Sequence, residues 1–377
     1  VQVIWLNNAA TAFPKPPEVG DAVRRALAEV PCEPGRAGGG DDARDLCRRE
    51  LAALLGVADP RRIALLPSAT YASNAVIAGL LGRGGHAVTS VLEQHAVLRP
   101  LAHHAQDRGA RLSWVEPGAD GAVDPGAIAR ALTAETRLVA LTHASNVTGA
   151  IQPIAEVAEV CARAGVPLLL DLAQTAGCVP VRLDDLPGRI YAAFSGHKAL
   201  CGPEGTGGLV VPDEGLPQTI VGGTGVRSAP ALHPGELPLR HEAGTPNRPG
   251  IAGLAAAVRW VAARGIAALG RQRAALVEAT RAALRALPGL WLSPLPYGDG
   301  RAGIVSFTHR CIRPDELDFV LREVFGLAAR AGLHCAPRCH GWLGTAPLGT
   351  VRVSFGPYSS DADVAALAAA LQGAVSS

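Results

Sequence analysis

Between residues 41 and 212 the chain keeps changing its period. A short run of aliphatic and β-branched residues gives way to a stretch with apolar residues at helical spacing, and the cycle repeats. Strand-like runs fall at 62–66, 86–92, 111–115, 137–142, 166–170, 189–194 and 208–211. Helical patterns fall at 41–55, 72–81, 96–108, 125–132 and 154–164. This alternation narrows the possible folds more than any other feature. A strand followed by a helix cannot close a hairpin, so successive strands pair in parallel with helices crossing the sheet faces. The expected core is therefore an α/β domain with a mainly parallel, seven-stranded sheet.

The texture changes after residue 249. Alanine-rich helices are expected at 251–264 and 267–287, then strands at 290–293 and 303–308 and a helix at 314–325. A loop at 329–347, a strand at 350–355 and a final helix from 361 complete a pattern suited to a smaller α+β domain. The stretch 236–249, with Pro238, Pro246 and Pro249, reads as the connector, and the glycine-rich run 34–40 as a loop near a site entrance. The division expected is a large domain over 16–249 and a small one combining 1–15 with 250–377. Of the 377 residues, 48% are apolar and only 18% charged, so a sizeable core can offset the ordering entropy. A net charge of +2 with scattered arginines gives no footprint for nucleic acid. No apolar run is long enough to cross a bilayer, and the N-terminal residues do not read as a signal peptide, so a cytoplasmic location is expected. Eight cysteines show no disulfide framework.

In open α/β sheets ligands bind beyond the carboxyl ends of the strands. The unusual polar residues collect there: Ser68-Ala69-Thr70, His95, Ser145-Asn146, Asp171 with Gln174 one helical turn later, and Ser195-Gly196-His197-Lys198. Singly, each has an ordinary reading. Asp171 and Thr70 could be helix caps, His95 a packed histidine, Asn146 part of a turn and Lys198 a snorkelling surface lysine. Together they supply an amine able to form a Schiff base, a carboxylate, an imidazole, amides and a helix N-terminus for a phosphate. Those are the protein-side requirements of pyridoxal 5′-phosphate (PLP).

The motifs Leu6-Asn7-Asn8-Ala9-Ala10-Thr11 with Pro14-Lys15-Pro16, Ser145-Asn146-Val147-Thr148-Gly149, Asp171-Leu172-Ala173-Gln174, Ser195-Gly196-His197-Lys198, Glu242-Ala243-Gly244-Thr245-Pro246-Asn247 and Arg330-Ala331-Gly332-Leu333-His334-Cys335-Ala336-Pro337 extend nearly end to end. In them the chain resembles the class V aminotransferases, fold-type I PLP enzymes, and within these the cysteine desulfurase and selenocysteine lyase branch. The resemblance implies that Lys198 holds PLP through a Schiff base and moves protons at the substrate α-carbon. It implies that Asp171 pairs with the pyridine nitrogen, Gln174 bonds the phenolic oxygen and His95 stacks on the ring. Ala69, Thr70, Ser195 and His197 would hold the phosphate, joined by Thr224 from a neighbouring subunit, so a homodimer with a shared active site is expected. Arg352 would clamp the substrate carboxylate, with Asn146, Ala10 and Arg330 helping to place the substrate.

Cys335 chooses the reaction. A nucleophilic thiol there, with His334 and Arg330 beside it, would take sulfur from L-cysteine as a persulfide, release L-alanine and pass the sulfur to an acceptor protein. A PLP-dependent C–S lyase working by β-elimination and a selenocysteine lyase are the alternatives. The run from Cys335 to Cys339-His340 lacks a second ligand pair, so no metal is expected; Cys339 could instead resolve the persulfide. A nucleotide-binding oxidoreductase would need a Gly-x-Gly-x-x-Gly turn after an early strand, which the chain lacks. Asn8 in place of a common aspartate, Ser68-Ala69-Thr70 and Leu333 in place of a common histidine depart from the family pattern.

Overall fold

A strand buried on both faces must send alternate residues into two different cores, and the central strands of this chain do so. The protein is described from a computed structural model covering residues 3–30, 42–226, 229–294, 298–300 and 302–376. The loop expected at 34–40, Cys32 and the first residue of the helix expected at 41–55 lie outside the described residues. The first part of the chain forms β1 (Ile4–Trp5), α1 (Pro17–Ala28), α2 (Ala43–Leu55), β2 (Ile63–Leu66), α3 (Ala69–Leu81), β3 (His86–Ser90), α4 (His95–Arg108) and β4 (Arg111–Val115). There follow α5 (Pro125–Ala131), β5 (Thr136–Thr142), α6 (Ile154–Ala164), β6 (Leu168–Asp171), β7 (Ile190–Ser195) and β8 (Gly207–Val210). Strands β2 to β8 make one seven-stranded sheet in the order β2-β8-β7-β6-β5-β3-β4. It is parallel except for β8, which runs antiparallel to both β2 and β7.

Leu168 and Leu170 of β6 enter one core, with Val139 and Leu141 of β5 and Phe194 of β7, under α2 and α6. Leu169, Leu138, Ala140 and Tyr191 point the other way, against Val76 and Ile77 of α3 and Leu101 of α4. Each layer of helices thereby covers one face, and the loops at the strand ends are left to carry polar groups.

The remaining elements are α7 (Arg248–Arg264), α8 (Ile266–Arg285), β9 (Leu290–Leu292), β10 (Ile304–His309), α9 (Pro314–Glu323), β11 (Leu327–Ala328), β12 (Arg330–Gly332), α10 (Pro337–Trp342), β13 (Thr350–Ser354) and α11 (Asp361–Ser376). A four-stranded sheet, β12-β13-β10-β9, packs with α8, α9 and α11 around Phe307, Leu321, Val353 and Leu367. The N-terminal segment joins this part: β1 pairs in parallel with β11, and Leu6 is buried in the same core. α7 instead buries Ile251, Leu254 and Val258 in the core beneath the large sheet. Among the described residues no single helix is long and apolar enough to cross a membrane.

Several boundaries differ from the sequence reading for local reasons. The helix expected at 72–81 begins at Ala69, because the extended Ser68 caps it by accepting from Tyr71 N. Gln174 was expected on a helix, but after Asp171 the chain forms successive turns, held by Thr175 N and Ala176 N donating to Leu172 O at 2.9 Å each. The loop expected at 329–347 contains β12 and the short α10, and α1 was not anticipated.

Candidate active site

The last residues of β6 and β7 are Asp171 and Ser195, so the two lie side by side at the carboxyl edge of the sheet. Ser195 Oγ accepts from Ala69 N at 3.3 Å, which joins this edge to the first turn of α3. Ala69 is buried and Thr70 exposed, on a helix start whose free N–H groups favour an anion. Two glycines let β7, β8 and the start of α3 approach closely. A Cβ on Gly207 would lie 2.8 Å from Ser68 Cα, and one on Gly196 would collide with Thr206. His197 is anchored through its carbonyl, which accepts from Lys15 Nζ at 2.7 Å and Ala12 N at 3.0 Å. Its Nδ1 is buried with no partner among the described residues, and burial together with Lys198 and Lys15 pushes the imidazole down to about 4.

Lys198 follows on the same turn, half-buried, and its Nζ makes no hydrogen bond among the described residues. Burial lowers its pKa from the ordinary lysine value; Asp171 opposes this, while Arg352 and Arg330 add to it. A lysine so placed has more of its amine in the nucleophilic, neutral form. Asp171 is only 2% exposed and has no cationic side chain within salt-bridge distance among the described residues. Its Oδ1 accepts from Ala173 N at 2.8 Å and its Oδ2 from Gln94 Nε2 at 3.4 Å. Gln174 Nε2 donates to Ala9 O at 3.1 Å, which draws the Ala9-Ala10 turn against the site.

Arg352, on β13, comes from the other sheet. It is 2% exposed and has no carboxylate partner among the described residues. Nη1 donates to Asn146 O at 2.9 Å and Nη2 to Asn7 Oδ1 at 3.1 Å, whereas Nε is buried without a partner among the described residues. Burial, with Arg330 beside it, pushes this guanidinium down to about 9. Arg330 and Arg352 are directly opposed in the β12–β13 pair, so both project from one face. Two guanidiniums on one face, one of them buried, form a site for an anion and suit bidentate binding of a carboxylate.

Cys335 follows β12. Arg330 Nη2 lies 3.9 Å from its Sγ, and its carbonyl accepts from His95 N at 2.8 Å, so the thiol abuts the start of α4. Thr70, Gln94, His95 and Cys335 line one open groove of about 720 Å³. His95 is half-buried there, its imidazole lowered by burial and Arg99.

The expectation that His334 lowers the pKa of the neighbouring thiol does not fit. Its ring is buried against Thr350, and burial with Arg352 pushes it down to about 2, so it is neutral. Asn146 turns one side-chain N–H to His334 O at 2.6 Å. Cys339 is fully buried against Ser145 Oγ, and burial pushes its thiol up to about 12, a poor setting for a reactive thiolate. Thr224 stands apart from the groove, its Oγ1 donating to Val226 O at 2.9 Å, in a separate pocket with Tyr71, Thr206 and Glu242.

Sequence reading passed over Gln94, Glu93 and the part played by Asn7. Glu93 is buried behind Asp171, accepting from Ser90 Oγ at 2.7 Å and Thr142 N at 2.9 Å. Burial pushes its carboxyl up to about 8. Its position beside His95 at the end of β3 was the available signal.

Asp171, Ser195 with the start of α3, and Lys198 with its charge felt by Asp171 thus gather at one carboxyl edge of the sheet.

The model of the family described as Aminotransferase class-V matches residues 4–367. The "Cysteine desulfurase" of Haloferax volcanii is 30% identical, over 99% of this chain and 89% of its own. The solved structure of the cysteine desulfurase CsdA of Escherichia coli superposes with a TM-score of 0.89 at 29% identity, covering 99% of this chain and 95% of that one. That of the cysteine desulfurase from Thermococcus onnurineus gives 0.89 at 28%, covering 100% and 95%.

Proposed function

The chain belongs to the class V aminotransferase family, in its cysteine desulfurase branch, and on that premise we propose that it converts L-cysteine to L-alanine and retains the sulfur as a persulfide on Cys335. The observation that carries this reading is the seat of Cys335, its carbonyl held by His95 N and its Sγ beside Arg330.

PLP is the proposed cofactor, and the residues fit it: among the described residues Asp171 is a buried carboxylate without a cationic partner and His197 has a buried imidazole nitrogen without a partner, and the start of α3 lies against Ser195. When bound, PLP supplies an electron sink for negative charge developed on the substrate carbons. Asp171 would hold the ring nitrogen protonated; Ala69, Thr70, Ser195 and His197 would bind the phosphate; and His95 would cover the ring. Gln174 retains a second side-chain N–H for the phenolic oxygen. Lys198 would hold the cofactor, then take the α-proton and return it. Arg352 would orient the substrate through its carboxylate, with Asn146 holding Nη1 in place and Ala10 and Arg330 bounding the pocket.

Cys335 sulfur attacks the substrate sulfur. A new S–S bond forms and the Cβ–S bond breaks with its electron pair left on carbon. That carbon takes up a proton to give alanine, and the enzyme keeps the persulfide.

The wider proposal is a homodimer in which Thr224 reaches the neighbouring phosphate, a sulfur-acceptor protein, and a cytoplasmic setting in keeping with seven described cysteines that form no disulfide. It divides the chain into 16–249 and 1–15 with 250–377. The pairing of β1 with β11 supports joining 1–15 to the small part, whereas α7, although the division assigns most of it to the small part, packs into the large core. Product analysis with L-cysteine tests the reaction. Alanine without pyruvate is expected, whereas pyruvate and ammonia as main products would mean β-elimination instead.

A further inference from the structure

His334 and Cys335 are consecutive non-glycine residues with φ of 48° and 61°. Left-handed backbone at residues carrying Cβ costs on the order of 1–3 kcal/mol each and persists only where the surroundings enforce it. The ties here can be named. Asn146 Nδ2 donates to His334 O at 2.6 Å, His95 N to Cys335 O at 2.8 Å and Ala336 N to Leu333 O at 2.8 Å. The fourth tie is the His334 ring, whose Nε2 lies 3.0 Å from Thr350 O and 3.1 Å from Thr350 Oγ1. A carbonyl can only accept, so Nε2 carries the proton, and Nδ1 is left as a buried lone pair without a partner among the described residues. Thr350 opens β13, which two residues later carries Arg352. One short strand therefore holds both the ring that fixes the cysteine turn and the guanidinium that receives the substrate carboxylate.

We propose that His334 is a positioning residue for sulfur transfer, its ring locked to Thr350 so that the Cys335 turn keeps a fixed offset from Arg352. The proposal rests on the desulfurase reading. It implies that the nucleophile is delivered by a rigid turn, and that loosening this turn slows the attack without weakening substrate binding.

The test uses the PLP-loaded enzyme carrying His334→Asn, since asparagine tolerates left-handed backbone but does not reproduce the ring's reach. The expected result is a loss of about tenfold or more in kcat for alanine formation, with KM for L-cysteine within about threefold of wild type. The cofactor absorbance should be unchanged. The rate of Cys335 alkylation by iodoacetamide, read by peptide mass spectrometry against the exposed Cys311, should change by about threefold or more as the turn relaxes. His334→Gln, with an amide N–H able to approach Thr350 O, should recover part of the rate. If His334→Asn fails to fold, Thr350→Val interrogates the same tie with the ring retained, and a kcat loss of about threefold is expected. Wild-type kcat and alkylation rate in the folded variant would overturn the proposal. Cys335→Ser separates the two claims: full alanine formation by that variant sinks the desulfurase reading. A dead Cys335→Ser beside a fully active His334→Asn sinks only the positioning role. The alkylation rate reports on the turn whatever the reaction.

Discussion

Replacing Arg352 by lysine keeps a positive charge in place and removes only the planar fork, so the size of the effect follows from counting donors. Arginine has five N–H donors. Two are engaged, one by Asn146 O at 2.9 Å and one by Asn7 Oδ1 at 3.1 Å. The N–H on Nε and one on each Nη remain, enough for a bidentate grip on a carboxylate. Lysine has three donors on one nitrogen. If it serves the two protein acceptors it can give the substrate a single bond. The loss is one charge-assisted hydrogen bond, about 1.5–3 kcal/mol, or roughly 10- to 150-fold in kcat/KM. The carboxylate takes no part in bond making, so the loss should fall on KM with kcat within about threefold. Steady-state alanine formation over a range of L-cysteine concentrations, at matched PLP content, measures both constants. An unchanged KM accompanied by a collapse of kcat would refute the carboxylate assignment, as would no change in either.

Glu93→Gln should change how stability depends on pH. The folded carboxyl is lifted by burial to about 8 from an ordinary 4.5, so the folded chain keeps a proton that the unfolded chain releases. The stability from this group is complete below the unfolded value and is lost as pH rises towards 8, at about 1.4 kcal/mol per pH unit. Glutamine abolishes that slope, so the variant should gain on wild type by about 3 kcal/mol between pH 5 and pH 8; equal differences at both pH values in urea unfolding would count against it. Glu242→Ala removes the carboxylate that Arg48 Nη2 holds at 2.6 Å, leaving that guanidinium to Asp45 and Ile63 O, and removes the acceptor of Leu65 N. A destabilisation of about 1.5–3 kcal/mol is expected in the same assay, and one below about 0.5 kcal/mol would show the pair to be solvated. Asp171→Asn keeps the acceptor for Ala173 N but not the charge, so the loaded protein should lose turnover by at least about 100-fold while still binding PLP; near-wild-type turnover would contradict the pairing with the ring nitrogen.

The sequence made the large sheet legible because every central strand had to be apolar on both faces, as Leu168-Leu169-Leu170 is. The strand ends were legible for the complementary reason: Asp171, Ser195 and Lys198 are polar where the apolar run stops. What comes from far along the chain was less accessible. Nothing local to Asn7 indicates that its side chain will meet Arg352 on β13, because a pairing across 345 residues has no periodic signature. The cysteine turn was hidden for another reason. Left-handed backbone is foreshadowed by glycine, and here His334 and Cys335 adopt it under tertiary constraint. The same constraint removed His334 from the role its adjacency to Cys335 suggested, since packing against Thr350 decides both its direction and its charge. Gln174 kept its place beside the site although the helix expected to carry it became a series of turns.

A single turnover of the PLP-loaded enzyme with L-cysteine, in the absence of any reductant or acceptor and followed by peptide mass spectrometry, tests Cys335 as the residue that takes the sulfur. One added sulfur atom is expected on the Cys335 peptide, matched in amount by the alanine formed, and neither product from Cys335→Ser. Alanine at the wild-type rate from Cys335→Ser, or sulfur carried by a different cysteine, would contradict that role.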